Sequence, residues 1–342
     1  MSFKNHLNQK RTFIIAEIGV NHNGDINLAK KMIKSASECG VDAVKFQTYV
    51  SEELVLKNAE KADYQKKNDS NESQFEMLKK LELTYDDFSQ LKKYAQECGV
   101  LFLSSPFDRK SVDLLEKLEV SAYKLGSGEL NNLELIEYVQ SKNKPIILST
   151  GMATLKEIKE TYDFIKDKSN LFLLHCITGY PTSFEETNLN FIKTLQKEFE
   201  VPIGFSDHSP GIELSIAAVA LGACIIEKHF TIDKNLPGPD HKASLNSTEF
   251  KAMVDAIRHV EVAMGDGTRK LSENELNIKK VARKSIVLSK NISKGMVIKK
   301  DMLTIKRPGT GIPPNHINEV VGKRVLKDLK SQTMLKWEDL EI

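Results

Sequence analysis

The chain has 342 residues, 40% of them apolar, and its 49 Lys and Arg nearly balance 47 Asp and Glu for a net charge of +2. A large core is therefore possible, while charge this even and this dispersed argues against binding nucleic acid or a membrane surface as the main activity. Four cysteines (Cys39, Cys98, Cys176, Cys224) with no CxxC pair argue against a disulfide framework or a thiolate zinc site and point to reduced thiols in a cytosol.

From Met1 onward there is no apolar signal core, and no apolar run approaches the roughly 20 residues that span a bilayer, so a soluble cytoplasmic protein is expected. Eight short apolar runs then end in polar, chemically capable residues: 13–19, 43–48, 101–106, 122–128, 145–151, 171–176, 202–208 and 224–231. Strands buried on both faces read as continuous apolar runs, and helical patterns separate these, at 27–39, 84–98, 109–118, 133–140, 155–165, 189–199, 211–221 and 247–264. The pattern predicts an eight-fold (β/α)8 barrel over 1–265, with a long polar excursion over its mouth at 51–76. Ser247 is expected as N-cap of the last barrel helix, with Glu249 and Glu261 on its polar face. Gly265-Asp-Gly267 breaks that helix, a charged linker over 266–280 is expected, and 281–342 reads as a compact, mainly β module.

In such a barrel the active site lies where the strands end, so the polar tips should converge. His208 and His229 end adjacent strands, and two neutral imidazoles there can share a divalent metal or can each be a hydrogen-bonded structural residue. Lys45 and Lys124 lie on strands two and four, where an inward ammonium needs a counter-anion: an anionic ligand, or Glu17 and Glu129. Ser127, Ser149 and Ser206 offer hydroxyls suited to phosphate or carboxylate oxygens. Glu17 and Glu129 can act as a base or merely orient a lysine. Asn21-His-Asn-Gly24 reads as a loop cap, and the proline-stiffened loop 235–241 presents Asp240 beside His229.

Together, Ala16-Glu-Ile-Gly-Val-Asn-His-Asn-Gly24, Val44-Lys-Phe-Gln-Thr48, Lys124-Leu-Gly-Ser-Gly-Glu129, Leu148-Ser-Thr-Gly-Met152, Gly204-Phe-Ser-Asp-His208, Ile226-Glu-Lys-His-Phe230 and Gly238-Pro-Asp-His241 resemble the sialic acid synthase family, which includes legionaminic acid synthases. The C-terminal part, with Lys306-Arg-Pro-Gly309, is similar to the antifreeze-like (SAF) domain. The resemblance implies condensation of phosphoenolpyruvate with an N-acyl mannosamine-type aldehyde and water, giving a nonulosonic acid (N-acetylneuraminate, or alternatively N,N'-diacetyllegionaminate) and phosphate. It implies that Lys45, Lys124, Ser127, Ser149 and Ser206 hold the phosphate and carboxylate, with Ser105, Thr178 and Tyr180 beside them. It further implies His208 and His229 as ligands of Mn²⁺ or Mg²⁺, Glu17, Gln47 and Asp240 as sugar contacts, and Glu129 in proton transfer. Arg307 matches an arginine that the family's C-terminal domain lends to a neighbouring subunit, which implies a domain-swapped homodimer. Thr178 stands where some relatives have asparagine, and the 237–241 loop is more similar to the sialic and legionaminic branches than to the pseudaminic one.

Two other readings stay open on the residues alone. A metal-dependent pyruvate aldolase, or a Schiff-base aldolase through Lys124, would release no phosphate. An ice-binding module at 281–342 conflicts with the polarity that Lys306 and Arg307 give that region.

Overall fold

The computed structural model describes Phe3, residues 11–61 and residues 73–341. Eight parallel strands, β1 Phe13–Gly19, β2 Ala43–Thr48, β3 Leu101–Pro106, β4 Tyr123–Leu125, β5 Ile146–Ser149, β6 Leu171–Cys176, β7 Ile203–Asp207 and β8 Ile225–His229, form one sheet in the order β3-β2-β1-β8-β7-β6-β5-β4. The two ends of that order, β3 and β4, lie side by side, so the sheet closes into the expected barrel.

Alternation along the strands sorts the residues into two faces. One set (Ile14, Val44, Phe102, Leu148, Leu173, Phe205, Ile226) joins Met32, Leu91, Leu115, Ile136 and Ile257 from the surrounding helices in the outer core. The other (Phe13, Ile15, Ala43, Leu103, Ala122, Ile147, Phe172, Leu174, Ile225) fills the interior, and Phe3 inserts edge-on between Phe13 and Phe172 at 4.9 and 5.2 Å. Gly204 must lack a side chain here, because a Cβ would come within 2.6 Å of the Ile225 carbonyl oxygen on the neighbouring strand.

Local chemistry explains where the strands and helices stop. β4 is shorter than the apolar run 122–128 because Gly126 hands over to a 3₁₀ turn at Ser127–Glu129. The last barrel helix, Ser247–Met264, is capped by Asn246 rather than Ser247: Asn246 Oδ1 accepts from the Glu249 N–H at 3.0 Å while Glu249 Oε2 accepts from the Asn246 N–H. Glu261 is not simply on a solvated face, since its carboxylate accepts from the Thr12 N–H and from Arg258. Arg258 in turn meets Asp42 at 3.0 Å, so the last helix is pinned to the first two strands. Of the polar excursion, Ser51–Leu54 and Gln74–Leu81 are helical, and 62–72 lies outside the described residues.

The chain divides into two compact units, Met1–Gly265 and Asp266–Ile342. Where a linker is expected, Glu273–Ala282 is a helix, started by a capping box between Ser272 and Glu275. In the second unit β9 Ser285–Leu288 pairs antiparallel with β10 Leu303–Lys306 over a core that includes Ile286, Leu288, Ile298, Val320, Val325 and Leu335. Among the described residues no helix is long and apolar enough to cross a membrane, and all four cysteines are free.

Candidate active site

Two residues beyond the last apolar layer, the inward positions become polar on every strand. Glu17, Lys45, Ser105, Lys124, Ser149, Cys176, Ser206 and Glu227 follow Ile15, Ala43, Leu103, Ala122, Ile147, Leu174, Gly204 and Ile225 at a spacing of two, which is the strand period. One further step adds Gln47, His208 and His229, and these groups line a cavity of ≈ 160 Å³ at the C-terminal ends of the strands. Ser127, Thr178 and Tyr180 complete the wall from the loops, with Phe107 and Met152.

Buried charges organise the floor. Lys45 Nζ lies 2.6 Å from Glu17 Oε2, 3.8 Å from Glu227 Oε2, and donates to Ser105 Oγ at 3.1 Å. Lys124 Nζ donates to Ser149 Oγ at 2.8 Å and lies 3.5 Å from Glu227 Oε1, which also accepts from Ser206 Oγ at 2.9 Å. The lysines' shared counter-ion is therefore Glu227, a residue the sequence reading overlooked. Its signal was available: on a strand of period two, a His229 that faces the cavity puts Glu227 on the same face. Glu129 is not a partner of Lys124, because the 3₁₀ turn carries it off the strand, where its carboxylate accepts from Asn132 Nδ2 at 2.7 Å.

The two carboxylates have opposite protonation tendencies. Burial opposes the charge of Glu227, but Lys124 and Lys45, helped by Ser206, outweigh it and hold the pKa down at about 2. Burial dominates at Glu17, and with Glu227 adding repulsion it overcomes Lys45 and lifts the pKa to about 7. Burial also raises Asp240, to about 6, and lowers Lys124 below its ordinary value.

On the opposite wall the rings of His208 and His229 are 5.5 Å apart, and Tyr180 covers His208 at 4.3 Å. His208 donates from Nδ1 to the Ile177 carbonyl at 2.8 Å, which leaves Nε2 as its free lone pair, and Cys176 Sγ lies 3.8 Å from the same Nδ1. Burial, with His208 and Lys45 nearby, drives the His229 pKa well below the ordinary value and keeps that ring neutral. His229 Nδ1 is buried without a hydrogen-bond partner, 3.8 Å from Asp240 Oδ2. Burial opposes charge on His208, but Cys176 and the Ile177 carbonyl outweigh it and raise its pKa, so a cation binding there would displace a proton. The Nε2 of His208 and the orphaned nitrogen of the neutral His229 suit a borderline divalent cation. Among the described residues no group of three or more His, Cys, Asp or Glu gathers in ligating geometry, so water or substrate oxygens would supply the remaining ligands.

Of the residues singled out from sequence, Glu17, Lys45, Gln47, Ser105, Lys124, Ser127, Ser149, Thr178, Tyr180, Ser206, His208 and His229 share this cavity. Asp240 is buried behind His229, and the Asn21 cap holds its loop: Asn21 Nδ2 donates to the Phe230 carbonyl and to Ser244 Oγ, both at 2.9 Å. Glu129 lies outside the lining, and Arg307 is an exposed residue of the second unit.

The sequence pattern of the NeuB family matches residues 32–269, and that of the SAF domain matches 283–341. The chain belongs to the NeuB family. N,N'-diacetyllegionaminic acid synthase of Legionella pneumophila is 46% identical over 96% of this chain and 94% of its own length. Human N-acetylneuraminate-9-phosphate synthase is 39% identical over 96% of this chain and 93% of its own. In structure, the N-acetylneuraminic acid synthetase of Leptospira borgpetersenii superposes with a TM-score of 0.70 at 35% identity, covering 78% of this chain and 90% of that one. As a NeuB protein the chain is a phosphoenolpyruvate-dependent condensing enzyme, built as a barrel followed by an SAF domain.

Proposed function

We propose that this NeuB protein condenses phosphoenolpyruvate with a mannose-configured N-acylamino sugar and water, forming a nonulosonic acid and free phosphate. One observation carries the reading: two buried ammonium groups, from β2 and β4, and two buried imidazoles, one just after β7 and one at the end of β8, face a single cavity. Lys45 and Lys124, with Ser105, Ser127, Ser149, Ser206, Thr178 and Tyr180, offer a cationic, hydroxyl-rich floor for the donor's phosphate and carboxylate. Gln47, which lines the cavity, suits a hydroxyl of the acceptor; Asp240, buried beside His229 outside the lining, is the weaker choice.

The donor's enol carbon attacks the acceptor's aldehyde carbon, whose oxygen takes up a proton. Water then adds to the oxocarbenium-like C2, loses a proton, and the tetrahedral adduct expels phosphate by C–O cleavage. Glu17 suits the proton transfers, since it lines the cavity and titrates at about 7; Glu129, held by Asn132 outside the lining, is the weaker choice. His208 and His229 would hold a divalent ion, Mn²⁺ or Mg²⁺, which supplies Lewis-acid polarisation of the aldehyde oxygen when bound. Arg307 would reach the site of a partner copy in a domain-swapped homodimer.

Within the sugar class, the 46% identity to a legionaminic acid synthase against 39% to a synthase of the N-acetylneuraminate type favours 2,4-diacetamido-2,4,6-trideoxymannose, with N-acetylmannosamine as the second reading. The test is phosphate release from phosphoenolpyruvate with Mn²⁺ and each sugar in turn, with and without chelator. Sugar-dependent release that the chelator abolishes is expected, greater with the diacetamido sugar. Silence with both sugars would sink the proposal, and condensation of pyruvate without phosphate would make the protein an aldolase.

A further inference from the structure

Met152 combines two unfavourable features that folding does not explain. Its backbone is left-handed, at φ +61°, and its side chain is 69% exposed. Among the described residues the other non-glycine positions with positive φ are Asn23, Asn143, Asn188, Glu119 and Gln332, all polar. A bulky apolar residue in this conformation is an outlier, and glycine would adopt it without strain.

The surrounding chain enforces the turn. Thr150 donates from both its N–H and its hydroxyl to the Leu174 carbonyl at 3.0 Å, and the Gly151 N–H donates to Ser127 Oγ at 2.9 Å. A Cβ on Gly151 would come within 2.4 Å of Thr178 Oγ1, so the backbone is pressed against the cavity wall. Two residues on, Thr154 is fixed as the N-cap of helix Leu155–Phe164. Met152 cannot relax its φ without releasing one of these anchors. Strain held this firmly belongs to functional sites.

The position tells what the side chain meets. Met152 lines the catalytic cavity together with Phe107 and Tyr180, above a floor of lysines and serines, and it also borders a second cavity walled by Ala153, Ile177 and Phe191. An apolar, adaptable thioether at the rim has nothing to offer a phosphate or carboxylate, whereas it suits a methyl group. We infer that Met152 is a specificity-determining residue, presented by a strained turn to pack against a methyl-bearing substituent at the distal end of the acceptor sugar. The inference rests on the proposed function and adds which part of the substrate is read, and by what.

The test uses the full chain, comparing wild type with Met152→Gly, which relieves the strain, and Met152→Ala, which keeps it. Phosphate release is followed with N-acetylmannosamine and with 2,4-diacetamido-2,4,6-trideoxymannose, alongside thermal melting. Both variants should raise KM for the better acceptor about five- to tenfold and bring the two acceptors' kcat/KM closer by a similar factor, with KM for phosphoenolpyruvate unchanged. Met152→Gly should melt no lower than wild type, which separates substrate reading from structural support. An unchanged acceptor ratio overturns the inference, and so does a KM increase confined to phosphoenolpyruvate. A wild type silent with both sugars overturns the functional reading itself.

Discussion

Glu227 holds two ammonium groups that are, like itself, almost wholly buried. Its carboxylate lies 3.5 Å from Lys124 and 3.8 Å from Lys45. Any anionic donor that settles on these lysines must share them with this carboxylate. Removing one member of a buried charge cluster strands the others, at a cost of about 3–5 kcal/mol. Glu227→Gln should therefore lower the melting temperature, and millimolar inorganic phosphate should recover more of the loss than it adds to wild type, because the added anion replaces the missing one. Equal phosphate shifts in both proteins would show that the lysines do not need Glu227 as counter-ion.

At the scale of elements, what matters is how the strand ends are held. The β1 turn depends on His22, buried at 1% exposure, whose Nδ1 accepts from the Gly24 N–H at 3.0 Å. Burial lowers its pKa from 6.5 to about 4, against the pull of Asp87. The sign follows from proton uptake: between these values the unfolded chain binds the proton and the folded chain does not. His22 thus contributes stability that is complete above pH 6.5 and disappears as the pH falls through 4. The full shift corresponds to about 3 kcal/mol. A His22→Gln variant should have a flatter melting profile than wild type below pH 6.5; parallel profiles would show that the imidazole is already charged in the fold.

Across the whole molecule, the two units differ in charge. Residues 266–342 hold 17 Lys and Arg against 9 Asp and Glu, and since the chain totals are 49 and 47, residues 1–265 hold 32 against 38. Each unit has its own core, so a chain ending at Gly265 should fold, melt cooperatively and bind an anion exchanger that the full chain, with pI ≈ 8.1, does not. It should also lose phosphate release if Arg307 completes the site. Full turnover by the truncated barrel would remove Arg307 from the mechanism.

Most of the barrel and most of its floor were legible beforehand. Strand period and apolar runs are local properties, so β1, β2, β3 and β6 match their predicted limits and the inward polar positions follow by counting in twos. Elements set by side-chain capping were misplaced by a residue or missed, as with Asn246 and the Ser272 helix, because several nearby polar residues could serve and only the folded backbone shows which one does. The sequence by itself determined the barrel, the convergence of Lys45, Lys124, His208 and His229, and the family likeness. Tertiary structure alone decided which carboxylate neutralises the lysines, that Glu129 turns aside to Asn132, and that Met152 is strained at the rim. Those outcomes depend on distances between strands far apart in the chain and on a backbone pinned from both sides, and neither is a property of any local run of residues.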